Sequence, residues 1–210
     1  MDGAFGVLAA IAVPEKFAGL ADADSLSLDP HKWLYQPLDC GCLLFRDAAI
    51  ARTAFAHSGD YARSLYQDPV EAFAFFEESL ELSRRFRALK LWLSLRYHGV
   101  NAFRAAIAND LRRAQMLAGL VDAEPALERL GPVELSAVCF RYVNGDDLDR
   151  LNAAILARVI ARGRVYLSNA SIGGHFALRA CIMNHRSTDD DVRAILEEVL
   201  ASAKEITPKT

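Results

Sequence analysis

Lys32 stands between an imidazole and an indole in the run Asp29-Pro30-His31-Lys32-Trp33-Leu34. An amine partly shielded from water by Trp33 and other apolar groups is freed to attack a carbonyl carbon, so condensation with an aldehyde is the chemistry this context allows. A lysine simply extended into solvent from a loop is the competing reading. Asp2, in Asp2-Gly3-Ala4-Phe5-Gly6, is by itself a solvated acid near the chain start. Tyr61 carries a phenol that spacing alone does not distinguish from that of an ordinary surface tyrosine.

These residues need elements to hold them. Alternation of apolar and polar types over 25–29 predicts a short strand, and Asp29-Pro30 ends it because proline cannot donate to a ladder. Lys32 then sits at a strand mouth. Residues 7–20 are rich in Ala and Leu but divided by Pro14, which predicts a short helix and a second turn linking two strands. If Asp2 and Lys32 end strands of one sheet, such a crossover brings both to the same edge, where open α/β sheets bind ligands. Residues 41–47 are apolar between turn signals and predict a buried strand. Polar breakers over 57–69 predict a long mobile loop carrying Tyr61.

Ser83 is expected to cap a helix running to Tyr97 with Gly99 as its stop, with Phe86, Leu89, Trp92, Leu93 and Leu95 on a broad apolar face. Arg84, Arg85 and Arg87 oppose the dipole at its start, which points to a task elsewhere or to ion pairing. Asn101 opens a second amphipathic helix with Phe103, Ile107, Leu111 and Leu117 inward, and the domain change is placed there. Beyond it the pattern predicts a strand over 133–142, a turn at Asn144-Gly145 and a helix over 147–162 stopped by Gly163. Strands over 165–168 and 175–182 follow, joined through Gly173-Gly174, and a last helix is capped by Thr188 to Asp191. Arg179 is a carboxylate ligand or a solvated residue on an edge strand.

The run Ser-x-x-x-Asp-Pro-His-Lys-Trp-Leu, followed by Asp39-Cys40-Gly41-Cys42, resembles the cofactor-lysine segment of the pyridoxal-phosphate (PLP) dependent group II amino-acid decarboxylases, the aromatic-L-amino-acid decarboxylase family. Further matches come in order: Asp2 to Gly6, then Arg84-Arg85-Phe86-Arg87-Ala88-Leu89-Lys90-Leu91-Trp92, then Val138-Cys139-Phe140-Arg141. The resemblance implies an α/β fold, the C-terminal part of a fold-type I (aspartate aminotransferase-like) PLP enzyme. Residues 1–99 would belong to an incomplete large-domain sheet that binds PLP, and 100–210 would form a small C-terminal α/β domain.

The resemblance also implies the site. Lys32 would form the Schiff base with PLP, Asp2 would pair with the pyridine nitrogen, and Ala4 would pack against a ring face. His31 would cap the phosphate or orient the linkage, an unexceptional loop histidine being the alternative. Tyr61, reaching into the partner subunit, would serve protonation at Cα. The implied activity is decarboxylation of an L-amino acid, aromatic by resemblance, in a full-length homodimer. Because the family's phosphate-binding segment precedes Asp2, the chain reads as N-terminally truncated. It could then be an inactive fragment serving dimerisation or interaction, and transamination or oxidative deamination are alternative PLP reactions.

Totals narrow the field. With 210 residues, 52% hydrophobic and a net charge of −3, the chain can bury a core and has neither the composition of a disordered segment nor that of a polyanion binder. Nucleic acid is therefore not an expected partner. No apolar run reaches the roughly 20 residues of a membrane span, and no signal-peptide pattern opens the chain, so a cytoplasmic protein acting on a small-molecule amino acid is expected. The four cysteines, Cys40, Cys42, Cys139 and Cys181, sit in apolar contexts without a paired CxxC and are expected to be buried free thiols, not metal ligands.

Overall fold

The computed structural model describes residues 1–56 and 75–206, so Tyr61 and the expected loop over 57–69 lie outside the described residues. The chain divides into two units, Met1–Ala10 with Pro14–Gly99 and Ile11–Val13 with Val100–Thr210.

In the first unit the alternating run forms β1, Ser25–Leu28, which pairs antiparallel with β2, Cys42–Phe45, from Ser25 opposite Phe45 to Leu28 opposite Cys42. Asp29 is extended, and Pro30 opens the single turn α1, Pro30–Trp33. Proline suits that first helical position because its fixed φ is already helical and its missing N–H would have had no partner. Residues before β1 form two 3₁₀ segments, Val7–Ile11 and Pro14–Asp22, broken just before Pro14. Helix α2, Ala48–Phe55, begins where Asp47 accepts a bond from the Ala49 amide at 2.9 Å. Helix α3, Arg87–His98, stops at Gly99, whose φ of +74° favours glycine.

Two expectations for this unit are corrected. β2 is not buried: Leu43 and Leu44 are 47% and 51% exposed, since β1 is the only strand partner of β2 among the described residues. Ser83 caps nothing, because α3 starts at Arg87 with Phe86 as an N-cap that makes no side-chain bond. Arg85 and Arg87 both pair with Asp39, which holds the chain ahead of Arg87 outside helical geometry. Arg85 and Arg87 are thus both ion-paired at this turn. The apolar side of α3 is open, with Phe86, Trp92 and Tyr97 exposed.

The second unit contains α4, Val100–Ala123; β3, Leu127–Arg129; β4, Ala137–Tyr142; α5, Leu148–Arg162; β5, Ser168–Ile172; β6, His175–Cys181; and α6, Asp189–Ile206. Its antiparallel sheet has the order β3-β4-β6-β5. Val138, Phe140, Leu178 and Ala180 share one face and pack with Leu117, Val121, Ile155, Val159, Val192 and Val199 from the three helices. Fully burying one such side chain is worth about 1.5–3 kcal/mol, so this layer outweighs any surface ion pair. Buried Asn152 joins α5 to β4: its Oδ1 accepts from the Tyr142 amide and its Nδ2 donates to the Tyr142 carbonyl, both at 2.8 Å.

Strand boundaries in this unit differ from expectation. β3 is too short for periodicity to reveal, and β4 begins at Ala137, not at 133. The strand expected over 165–168 is instead Ser168–Ile172, because the two-residue turn Gly173-Gly174 (φ +59° and +85°) sets Ile172 opposite His175. Polar Asn169 and Ser171 hid that strand. Arg179 is not on an edge, since β6 lies between β4 and β5. Thr188 and Asp191 form a reciprocal cap on α6, with the Asp191 amide donating to Thr188 Oγ1 at 3.2 Å and the Thr188 amide to Asp191 Oδ2 at 2.7 Å.

Helix α6 is also tied to its neighbours by charge. Arg112 and Arg113 of α4 grip Asp189 at 2.6 and 3.2 Å, Arg162 of α5 bonds both Glu198 and Glu205, and Arg158 bonds Glu205. The Arg112 hydrogen bond holds the Asp189 carboxyl below the usual range, the Thr188 amide does so for Asp191, Arg162 for Glu198 and Arg158 for Glu205. A carboxyl with a depressed folded pKa contributes stability above its unfolded pKa and loses it as pH falls through the folded value. Thermal unfolding followed across pH is therefore expected to be level above about pH 5 and to fall below about pH 4, with a shallower fall in Glu198→Gln.

Candidate active site

The site is built on a seam between residues 1–3 and β1. The Ser27 amide donates to the Met1 carbonyl at 3.1 Å and the Gly3 amide to the Ser27 carbonyl at 2.9 Å, which sets Asp2 beside Ser27 as a parallel bridge. Asp2 Oδ1 then accepts from the Ala4 amide at 3.0 Å and from Ser27 Oγ at 3.2 Å. The Ala4 amide first, and the Ser27 hydroxyl next, hold the Asp2 carboxyl below the usual carboxylate range against some desolvation, and the Lys32 charge lowers it further. Asp2 is therefore an anion at neutral pH, and Lys32 lies within its electrostatic reach.

The seam is closely packed. A Cβ on Gly3 would come within 2.6 Å of Val7 Cβ and 2.8 Å of the Ser27 carbonyl oxygen, so only glycine lets the two segments approach this far. Two residues on, the Phe5 ring meets the fully buried Trp33 edge to face, with centroids 6.3 Å apart. The segment bearing Asp2 is thus packed directly on the residue after Lys32.

On α1 the Lys32 side chain is about a third exposed, and its ammonium donates to Asp29 Oδ2 at 2.8 Å. His31 presents Nε2 to the same oxygen at 3.7 Å, while its Nδ1 lies 2.8 Å from the Cys40 carbonyl oxygen. The imidazole is held by backbone on one side and faces a carboxylate on the other. Sequence reasoning treats Asp29 only as a strand terminator and misses this contact. The signal was present: an acid and a lysine at i and i+3 across one helical turn face each other.

Lys32, Asp2, Ala4 and His31 all belong to the first unit, around β1 and α1. Tyr61 is outside the described residues. Among the other lysines, Lys90 spends its ammonium on the Pro37 and Asp39 carbonyls, both at 2.6 Å. A partly exposed amine with an ionised carboxylate nearby fits a cofactor that has an aldehyde at one end and a basic ring nitrogen at the other. All four cysteines are thiols; burial pushes the Cys40, Cys42 and Cys139 thiols up, so these three stay protonated and weakly nucleophilic. They are not uniformly buried as expected, for Cys181 at the end of β6 is exposed.

Residues 1–143 match the family described as the pyridoxal-dependent decarboxylase conserved domain. The chain belongs to that family, whose cofactor is PLP. An aromatic-L-amino-acid decarboxylase of Bacillus atrophaeus is 33% identical over 98% of this chain and 44% of the relative. A phenylacetaldehyde synthase of a Rosa hybrid cultivar is 33% identical over 78% of this chain and 34% of the relative. The crystal structure of Oryza sativa TDC with PLP and tryptamine superposes with a TM-score of 0.88 at 28% identity, covering 99% of this chain and 44% of that one. The fold is accordingly α/β and corresponds to part of a fold-type I PLP enzyme, and the chain spans less than half the length of these relatives.

The Gly3 contact generates a test. Gly3→Ala is expected to cost about 1–3 kcal/mol in chemical denaturation, because backbone and not a flexible side-chain tip must yield. Gly19→Ala, with open space around the added carbon, is the control and should cost far less.

Proposed function

We propose that this chain supplies the cofactor-lysine part of a PLP-dependent decarboxylase acting on an aromatic L-amino acid, with Lys32 as the residue that carries the cofactor. What supports the assignment above all is the seam that fixes the Asp2 carboxylate on β1, the strand that leads into Lys32. Lys32 and Asp2 would hold PLP at its aldehyde and ring-nitrogen ends, with Ala4 against a ring face. When bound, PLP supplies an aldehyde carbon and a protonated ring that accepts the electron pair left as carbon dioxide departs.

The rest falls to the protein. Asp2, already ionised, would favour the protonated form of the ring nitrogen. Asp29 accepts the hydrogen bond of the Lys32 ammonium and holds it at a defined place. For His31 the orienting role is better supported than the phosphate cap, since an anion at Nε2 would also meet the Asp29 carboxylate. Tyr61 would hand a proton to Cα from its phenol, from the partner chain of a homodimer. The open apolar side of α3 is the kind of surface that further polypeptide covers.

Aldehyde formation is the second reading, because the Rosa relative bears the name of an aldehyde synthase at the same 33% identity as the Bacillus decarboxylase. Both release carbon dioxide, and product analysis separates them: amine without oxygen uptake marks decarboxylation, aldehyde, ammonia and hydrogen peroxide formed with consumption of dioxygen mark the alternative, and a keto acid retaining the carboxyl carbon marks transamination.

Two outcomes are expected in the full-length protein. Borohydride reduction should fix the cofactor on Lys32, as read by peptide mass spectrometry, and Lys32→Ala should abolish the fixation. Labelling of another lysine at full stoichiometry would refute the assignment. Tyr61→Phe should lower amine formation by about 100-fold while borohydride labelling of Lys32 persists; an unchanged rate removes Tyr61 from proton transfer.

A further inference from the structure

Helix α3 turns a polar stripe toward the segment that follows Lys32. Arg87, Lys90 and Ser94 share one helix face by their spacing. Lys90 Nζ donates to the carbonyls of Pro37 and Asp39, each at 2.6 Å, and Arg87 Nε donates to Asp39 Oδ2 at 2.8 Å. Ser94 Oγ accepts from the buried Gln36 amide nitrogen at 3.1 Å, and that nitrogen also donates to the Leu34 carbonyl at 2.7 Å. Residues 36–39 are thus held at three places along one helix.

The held segment closes on the lysine turn. The Gln36 amide donates to the Pro30 carbonyl at 3.1 Å, and the Cys40 carbonyl lies 2.8 Å from His31 Nδ1. Tyr35, immediately before Gln36, has a φ of +52°, in the left-handed region that a side chain disfavours. Such a backbone persists only where its surroundings over-determine it. The bonds from α3 hold the chain just downstream of it. Lys90 spends its charge on two carbonyl oxygens, leaving Arg85 and Arg87 to neutralise the Asp39 carboxylate. An ammonium used in this way fixes backbone position.

We propose that Lys90 is a positioning residue for Lys32, acting through residues 36–40 to hold the His31 ring and the lysine turn in the orientation that takes the cofactor. This rests on the assignment of Lys32 made above. Lys90 touches neither the Lys32 amine nor Asp2; it sets the far end of the loop on which the His31 ring rests.

The test is the rate at which borohydride fixes PLP on Lys32 in the full-length protein, measured by peptide mass spectrometry beside the unfolding midpoint. Lys90→Met is expected to slow fixation about tenfold or more, since small misplacement of a reacting group costs that much. Lys90→Arg should recover part of the rate, as a guanidinium also donates to carbonyls. The loss should be non-additive with His31→Gln, because both changes release the same loop, whereas a residue serving only stability would add independently and move the midpoint in step. Fixation at the parental rate in Lys90→Met, or strict additivity with His31→Gln, overturns the proposal. If Lys90→Met does not fold, Ser94→Ala decides: slower fixation supports the clamp and the parental rate overturns it. Parental protein labelled elsewhere than Lys32 would sink the lysine assignment as well, whereas normal Lys32 labelling with indifferent variants removes the clamp alone.

Discussion

Two backbone hydrogen bonds between Ser27 and residues 1–3 are the constraint on which the site depends. They are short-range and directional, and they determine that the Asp2 carboxylate lies beside β1 and not free in solvent. Everything nearby is fitted to that closeness: a glycine where a Cβ would collide with backbone, a Ser27 hydroxyl turned to the carboxylate, and a Phe5 ring laid edge-on to Trp33. The same strand leads directly through Asp29 into the turn that carries Lys32. Charge placement is thus a consequence of strand pairing.

Around Lys32 the electrostatics are local and opposed in sign. Asp29 faces both the ammonium and the His31 ring, and Asp2 contributes from the segment bridged to β1. Further along the chain, Asp39 is shared by Arg85 and Arg87. Asp29 collects donors from its own turn, whereas Asp39 collects them from residues more than forty positions on. Hydrogen bonds involving charged groups are stronger and more directional than neutral ones, which suits them to fixing loops that carry reactive groups.

The second unit is stabilised differently. Its sheet buries one face against three helices, and its charged pairs lie largely at the surface between helices. No described helix in the chain is long and apolar enough to cross a membrane. Open apolar side chains occur in both units, and those of the first gather about α3, with Phe86, Trp92 and Leu93, and on β2, with Leu43 and Leu44. Membership of the pyridoxal-dependent decarboxylase family gives those faces a context, since the relatives are more than twice as long as the matched region.

Much was legible from residue order. Alternation gave β1, Pro30 its end, Gly163 the stop of α5, Thr188 and Asp191 the cap of α6, and Gly173-Gly174 a hairpin, because each signal acts through its own backbone and near neighbours. The motif about Lys32 identified the family for the same reason: it is contiguous. Tertiary structure decided the rest. Whether β2 is covered, where α3 starts, that Arg179 lies on an inner strand, and that Lys90 holds the segment after the lysine turn all depend on partners many residues away. Local sequence determines which conformations a segment prefers, but which groups meet is set by long-range pairing, and no single segment encodes its partner.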